Sequence, residues 1–319
     1  MKTYDLIIVG AGPSGLACAI EAKKKGLDCL ILDKGSVADA IRRFPVNMTF
    51  FSTPELLEIG GIPFLAAGFR PTRVECVRYY QMVAAHYALE VRRNSEVTGV
   101  HRVAGGFEIS TGREAYRTAN VVVATGYFDD PIPFDVPGMQ LPKVHRYYTE
   151  PYAYAGMNVA IVGGRNSAVE MALDLYRNGA NVTLIHRGPA LSSGVKYWIL
   201  PDIENRIKAG EVKALFGTQI REITPSSVIC SGTHSEEIPN DVVFVMIGYL
   251  PSTALLQAIG VRIDHDSKAP LHDPKTMATD VPGVFVAGSI AAGRFNNRIF
   301  IENGRAHGKR IVDAIVNVH

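Results

Sequence analysis

Two short apolar runs that end in glycine set the frame of the chain: YDLIIVG at 4–10 and MNVAIVG at 157–163. Each has the length and near-unbroken apolar character of a strand buried on both faces. A tight glycine turn follows each run, then a helical stretch that stops at glycine, Gly26 in one case and Gly179 in the other, then a second short strand. The offset of 153 residues persists: Gly10 matches Gly163, Gly12 matches Arg165, Gly15 matches Ala168 and Asp33 matches His186. Strand, turn, helix, glycine stop and strand make the βαβ pattern of a dinucleotide-binding fold. Both units continue alike. Polar, hairpin-like stretches at about 91–118 (with FEIST as a strand) and 212–240 (with SSVICS) lead to apolar strands that stop at Gly-Tyr, NVVVATGY at 120–127 and DVVFVMIGY at 241–249. A third such strand, GVFVAGS at 283–289, has no complete unit and is expected to return to the first domain. The expected class is α/β, with two Rossmann-like dinucleotide-binding domains, the second inserted in the first. The first is expected over 1–127 and 250–319 and the inserted one over 128–249, with the proline-rich FDDPIPFDVPGMQLPKVHRYY as linker.

Composition narrows the function classes. The chain's 319 residues are enough for two ordinary domains, and 47 % hydrophobic with 20 % charged residues argues against long disorder. A net charge of +2 without basic runs gives no reason to expect nucleic acid or a membrane surface as partner. No apolar run approaches the roughly 18 to 20 residues that span a bilayer, and the N-terminus runs straight into a strand, so a cytoplasmic protein is expected. Cys18, Cys29, Cys76 and Cys230 form no CxxC pair, which disfavours a zinc knuckle or a local dithiol and suggests reduced thiols, with Cys18 and Cys29 buried. None of the nine histidines sits in a metal-ligand spacing, so His86, His145 and His307 read as structural or surface residues and no metal is expected.

VGAGPSG at 9–15 is a full G-x-G-x-x-G between strand and helix. Gly10 permits the turn, Gly12 lets a pyrophosphate approach the backbone, Pro13 and Ser14 open the helix, and Gly15 lets it pack on the sheet. Asp33, 18 residues beyond Gly15, is placed to bind a ribose hydroxyl. The second fingerprint, VGGRNSAVE at 162–170, offers Gly163, Gly164, Arg165, Asn166, Ser167 and Ala168. Here Arg165 replaces the central glycine and either crowds the pyrophosphate or neutralises it. His186-Arg187 stands where an acid would read an unphosphorylated ribose, and a cation there suits the 2′-phosphate of NADPH. Two such units imply transfer between two cofactors, flavin and nicotinamide being the usual pair.

Together, GAGPSG, the Ala124–Gly126 triplet, GGRNSA with HR, and PGVFVAGS resemble the low-molecular-weight thioredoxin-reductase superfamily over essentially the whole chain. FPVNMTFFSTPELLEIGGIPF, KYWILPD, VMIGYLP and IFIENGRAHG are similar, more narrowly, to the bacillithiol disulfide reductase family of the YpdA/Bdr type. The resemblance implies FAD and NADPH as cofactors, a homodimer, and a nucleotide domain able to rotate. It adds Lys34, Thr125, Gly126, Gly288, Ser289, Arg298 and Ile299 to the flavin set and Gly248 to the nucleotide set. The helix near Ile299 to Glu302 resembles the element whose N-terminus faces the flavin pyrimidine ring. The implied acceptor is a small-molecule disulfide. The alternatives are a ferredoxin or flavodoxin, since dithiol-free members of the superfamily reduce such partners, and a non-enzymatic flavin or nucleotide redox sensor. Three departures stand out. VHRYYTEPYAYAG has no cysteine where thioredoxin reductases carry CxxC; Ser14 replaces the narrower family's cysteine at the flavin; Ser289 replaces an aspartate. No catalytic side chain is identified beyond the flavin itself. Tyr147, Tyr148, Tyr152 and Tyr154 shield the flavin, shape a substrate cleft or pack the linker, and Trp198 anchors a helix start.

Overall fold

A computed structural model describes residues 2–317, the side chain of Asn296 excepted. Met1, Val318 and His319, the ends of the expected first domain, lie outside the described residues. The chain forms two compact units: one holds the residues up to Arg43, Thr49–Asp130 and those from Tyr249 onward, the other Phe44–Met48 and Pro131–Gly248.

In the first unit a parallel sheet runs in the order Glu90–Arg92, Cys29–Leu32, Thr3–Val9, Ala115–Val123. Ala115–Val123 changes character along its length. Its first half alternates, with Tyr116 and Thr118 buried and Arg117 exposed, and pairs antiparallel with Gly106–Thr111 of the hairpin. Its last three valines are all buried and pair parallel with Val284–Val286. The helix Pro13–Lys24 packs against the helix His307–Val316. The approach is close, for a Cβ on Gly308 would lie 2.7 Å from the Ala17 backbone. Cys29 departs from expectation: it opens its strand and is only partly buried. The helix expected near Ile299 to Glu302 is a single turn, Ile301–Gly304. Phe300 N–H starts it by donating to Asn303 Oδ1, and Arg305 and Ala306, both in the αR region, carry the chain on into the helix His307–Val316.

The second unit carries a parallel sheet in the order Lys213–Phe216, Asn181–His186, Asn158–Val162, Val242–Val245, Val144–His145. The helix Asn166–Arg177 buries one apolar stripe on it, including Val169, Met171 and Leu173. An antiparallel sheet, Thr218–Ile223, Ser227–Gly232 and Glu237–Pro239, completes the unit. Phe44–Met48 joins this unit through Val46 N–H donating to Thr149 O (2.7 Å) and Asn47 Nδ2 donating to Asp174 Oδ1 (3.0 Å). Of the tyrosines read as shield or packing, Tyr148 and Tyr154 are packing: both set their edges against Phe244, and Tyr148 Oη donates to Asp174. Tyr147 and Tyr152 are exposed. Trp198 sits just ahead of the helix Leu200–Lys208.

Candidate functional site

The first unit's fingerprint folds as a strand-to-helix turn. Gly10 has φ +114°, and a Cβ there would lie 2.5 Å from Ala124 O, so only glycine lets the turn meet the end of the neighbouring strand. Gly12 is different. Its φ is −75° and a Cβ there would meet no protein atom within 4 Å. The protein leaves open space at Gly12, in front of a helix N-terminus that no side chain caps. That combination of unclaimed first-turn amides and bare backbone suits a pyrophosphate. Asp33 braces the turn: its Oδ2 accepts Ala11 N–H (2.6 Å) and its Oδ1 accepts Gly35 N–H (2.7 Å). Each oxygen keeps a second lone pair for a ribose hydroxyl. Burial pushes this carboxyl above its usual range, against the pull of the two amides.

Three further pieces meet the same turn. A Cβ on Gly288 would lie 2.7 Å from Ser14 Oγ, one on Gly304 2.9 Å from Ser14 Oγ, and one on Gly126 3.9 Å from Ser289 Oγ. The structure therefore gathers Ser14, Gly126, Gly288 and Ser289, with Thr125 exposed beside them and Ile299 packed against Gly304. Lys34 and Arg298 are engaged with the protein. Lys34 Nζ pairs with Asp129 (2.9 Å), which also binds Arg43, and the Arg298 guanidinium lies 4.5 Å from the centre of the Phe295 ring.

The second fingerprint repeats the plan with harder packing. Gly163, at φ +149°, sits under Met246 O and Ala168. A Cβ on Gly164 would lie 2.5 Å from the His186 ring, so that imidazole is pressed flat on the fingerprint. Burial lowers the pKa of His186, helped by the charges of Arg187 and Arg165, so it is neutral near pH 7. The Arg165 and Arg187 side chains are both exposed and have no hydrogen bond or ion pair among the described residues. Two guanidinium groups near one imidazole make a cationic patch, a chemistry that suits a phosphate. The helix behind them again has no side-chain cap, with Arg165 at its N-cap position, Ser167 exposed and Ala168 buried. Gly248, at φ +105°, accepts Ile132 N–H at the far strand end. No role was expected for Glu170, Ser192 or Lys196; Asn166, expected among the nucleotide contacts, makes two side-chain bonds to the 187–199 segment. Among the described residues no three His, Cys, Asp or Glu side chains are grouped as a metal would need, and no helix is long and apolar enough to cross a membrane.

Two dinucleotide folds with open helix N-termini define a two-cofactor oxidoreductase. Residues 7–288 match the pattern of the pyridine nucleotide-disulphide oxidoreductases. The bacilliredoxin reductase Bdr of Bacillus subtilis is 41 % identical over 97 % of this chain and 96 % of its own. The bacillithiol disulfide reductases Bdr (YpdA) of Staphylococcus aureus and Bacillus cereus superpose with TM-scores of 0.96 and 0.97, both at 37 % identity, over 99 % and 100 % of both chains. The chain belongs to the pyridine nucleotide-disulphide oxidoreductase family. It is an FAD-dependent pyridine-nucleotide oxidoreductase with a thioredoxin-reductase-like fold.

Proposed function

We propose that the first unit holds FAD along Gly10, Gly12, Pro13, Ser14 and Gly15, with Asp33 on the adenosine ribose and Thr125, Gly126, Gly288 and Ser289 at the rest of the cofactor. The second unit holds NADPH on Gly163–Ala168, with Arg165 and Arg187 on its 2′-phosphate. Bound there, the two cofactors would supply hydride transfer from nicotinamide to flavin and a two-electron reductant for an acceptor. The protein's part is to hold the nucleotides at two uncapped helix starts and to supply cations to the phosphate. In this reading the FAD and NADPH domains divide as expected from the sequence except that Phe44–Met48 goes with the NADPH domain and the first boundary falls after Asp130, the enzyme works as a homodimer, and four unbridged cysteines fit a reducing cytoplasm.

The acceptor in this reading is a low-molecular-weight disulfide of the bacillithiol type. Full-length likeness to two bacillithiol disulfide reductases carries it. The test is steady-state NADPH oxidation by the FAD-loaded enzyme against bacillithiol disulfide, other disulfides, ferredoxin, flavodoxin and oxygen. Bacillithiol disulfide is expected to support the highest kcat/KM. A ferredoxin or flavodoxin that outperforms every disulfide overturns the assignment.

A further inference from the structure

Residues 187–199, which join the strand Asn181–His186 to the helix Leu200–Lys208, contain no helix or strand. A segment of this length without its own regular structure is ordinarily loose unless something fixes it. Here it is tied down along its length. Gly217 N–H donates to Gly188 O (2.8 Å), and Ser192 N–H donates to the fingerprint carbonyl Gly164 O (2.9 Å). Asn166, in the first turn of the fingerprint helix, then bridges two points further on: its Nδ2 donates to Gly194 O (2.9 Å) and its Oδ1 accepts Lys196 N–H (2.8 Å). One turn along the same helix face, the Glu170 carboxylate pairs with Lys196 Nζ.

The energetics favour a rigid clamp. The Lys196 and Glu170 side chains are only 9 % and 21 % exposed, so solvent and salt screen the pair weakly. Burial pushes the Glu170 carboxyl up while the Lys196 charge draws it down, as for an acid whose ionised form depends on that one cation. Both polar ends of the Asn166 amide are used on the loop, so the side chain's work is done there. The same loop begins at Arg187 and Gly188, and Gly188, like Gly164, lies close against the His186 ring, at its Nε2 and Cδ2. Whatever fixes the loop therefore also fixes the imidazole and the start of the cationic patch.

We propose that Asn166, backed by the Lys196–Glu170 pair, is a positioning residue that holds residues 187–199 as a fixed wall of the nucleotide site and so sets nucleotide affinity through the loop. The proposal rests on the reading of the second unit as the NADPH site. With the clamp in place the loop is ordered before the nucleotide arrives. Without it, binding must order the loop, and apparent affinity falls by the fraction of molecules in the ordered form. Because the wall is common to both nucleotides, the loss strikes the phosphorylated and unphosphorylated forms alike.

The experiment uses the oxidised, FAD-loaded enzyme, with NADP⁺ and NAD⁺ titrated calorimetrically so that no turnover intervenes, and hydrogen exchange read on residues 187–199. Asn166→Ala is expected to raise exchange across the loop in the free enzyme and to weaken both nucleotides about tenfold, the scale of one or two lost hydrogen bonds. KM for NADPH rises while kcat at saturation stays near wild type. Asn166→Asp keeps the acceptor for Lys196 N–H and loses the donor to Gly194, so it falls between the two. Glu170→Gln, which removes the charge and keeps the shape, loosens the Lys196 end and supplies the same readouts should Asn166→Ala fold poorly. Unchanged loop exchange together with unchanged nucleotide affinity in these variants overturns the clamp while leaving the site reading intact. A wild-type enzyme that binds neither nucleotide overturns the site reading and the clamp with it.

Discussion

Ser14 and Gly288 are in direct contact across the first fingerprint: a Cβ on Gly288 would stand 2.7 Å from Ser14 Oγ and 3.0 Å from Ser14 Cβ. Gly288 also has φ +74°, a conformation that L side chains adopt at a cost. Gly288→Ala is therefore expected to destabilise the first unit by about 1 to 3 kcal/mol. Ser14→Ala in the same chain should recover only part of the loss, since it removes the Oγ collision but leaves the tight Cβ contact and the backbone strain. Urea denaturation of the single and double variants checks this; a full recovery would mean the strain at Gly288 is negligible.

Gly12 separates ligand from fold more cleanly. A Cβ there meets no protein atom within 4 Å, so Gly12→Val should fold normally and emerge without its flavin. Absorbance at the flavin band and circular dichroism on one preparation read both. A normally folded Gly12→Val protein with one FAD per chain would remove the pyrophosphate from this turn.

Much of this was legible because a dinucleotide fold writes itself locally. The Gly10 and Gly163 turns, the glycine stops and the apolar strands each follow from a few adjacent residues. What stayed hidden depends on partners distant in sequence. Nothing local marks Phe44–Met48 as joining the second unit, since its ties run to Thr149 and Asp174. Lys34 was expected at the cofactor beside Asp33, and nothing local in the sequence marks its ion-pair partner Asp129, which lies far along the chain at the end of the strand-and-helix stretch Thr49–Asp130. Asn166 sat correctly in the fingerprint, but which way its amide is spent is decided by Gly194 and Lys196. KYWILPD stood out as a motif, and only the pairing of Lys196 with Glu170 gives it a physical role.

Nucleotide choice should follow the two exposed arginines. One charge-assisted contact to phosphate is worth on the order of 1.5 to 3 kcal/mol. Arg187→Ala is thus expected to raise KM for NADPH roughly ten- to a hundredfold and to leave NADH nearly unchanged. Equal losses on both nucleotides would show that Arg187 does not read the 2′-phosphate. That selective pattern is also what separates Arg187 from the uniform loss expected at Asn166.

His307 links pH to the same turn. It is buried, and its Nδ1 accepts the Gly288 N–H (3.1 Å), so a second proton would remove the acceptor and place a cation in the interior. Burial, with Arg310 and His272 adding to it, lowers its pKa to about 4. The folded value lies below that of the unfolded chain, so the unfolded chain binds more protons between about pH 6.5 and 4. The contribution is complete above about 6.5 and is lost as pH falls toward 4, on the order of 3 kcal/mol in all. His307→Gln keeps an acceptor and does not titrate. Its stability should vary less than the wild type's between pH 6.5 and 5; parallel curves for the two proteins would refute the linkage.

Ser14 decides what chemistry remains for a disulfide. A hydroxyl cannot form a mixed disulfide, and no native thiol is poised to replace it. Burial pushes Cys29 up to about 12 and Cys230 to about 11, and raises Cys18 and Cys76 further, so none offers a thiolate near neutral pH. Replacing all four cysteines is therefore expected to leave both NADPH-driven flavin reduction and any turnover of bacillithiol disulfide intact. Ser14→Cys is expected to add a route. The side chain sits in the first turn of the helix Pro13–Lys24, whose N-terminus carries no side-chain cap, and it packs against Gly288 and Gly304, whose lack of side chains admits it. A thiol there has its pKa lowered by the helix dipole and gains thiolate character. Anaerobic turnover of bacillithiol disulfide in the wild type, Ser14→Cys and the cysteine-free chain reads the outcome, with iodoacetamide sensitivity expected in Ser14→Cys alone. Wild-type turnover that vanishes when one native cysteine is removed would show instead that a buried thiol opens to the substrate.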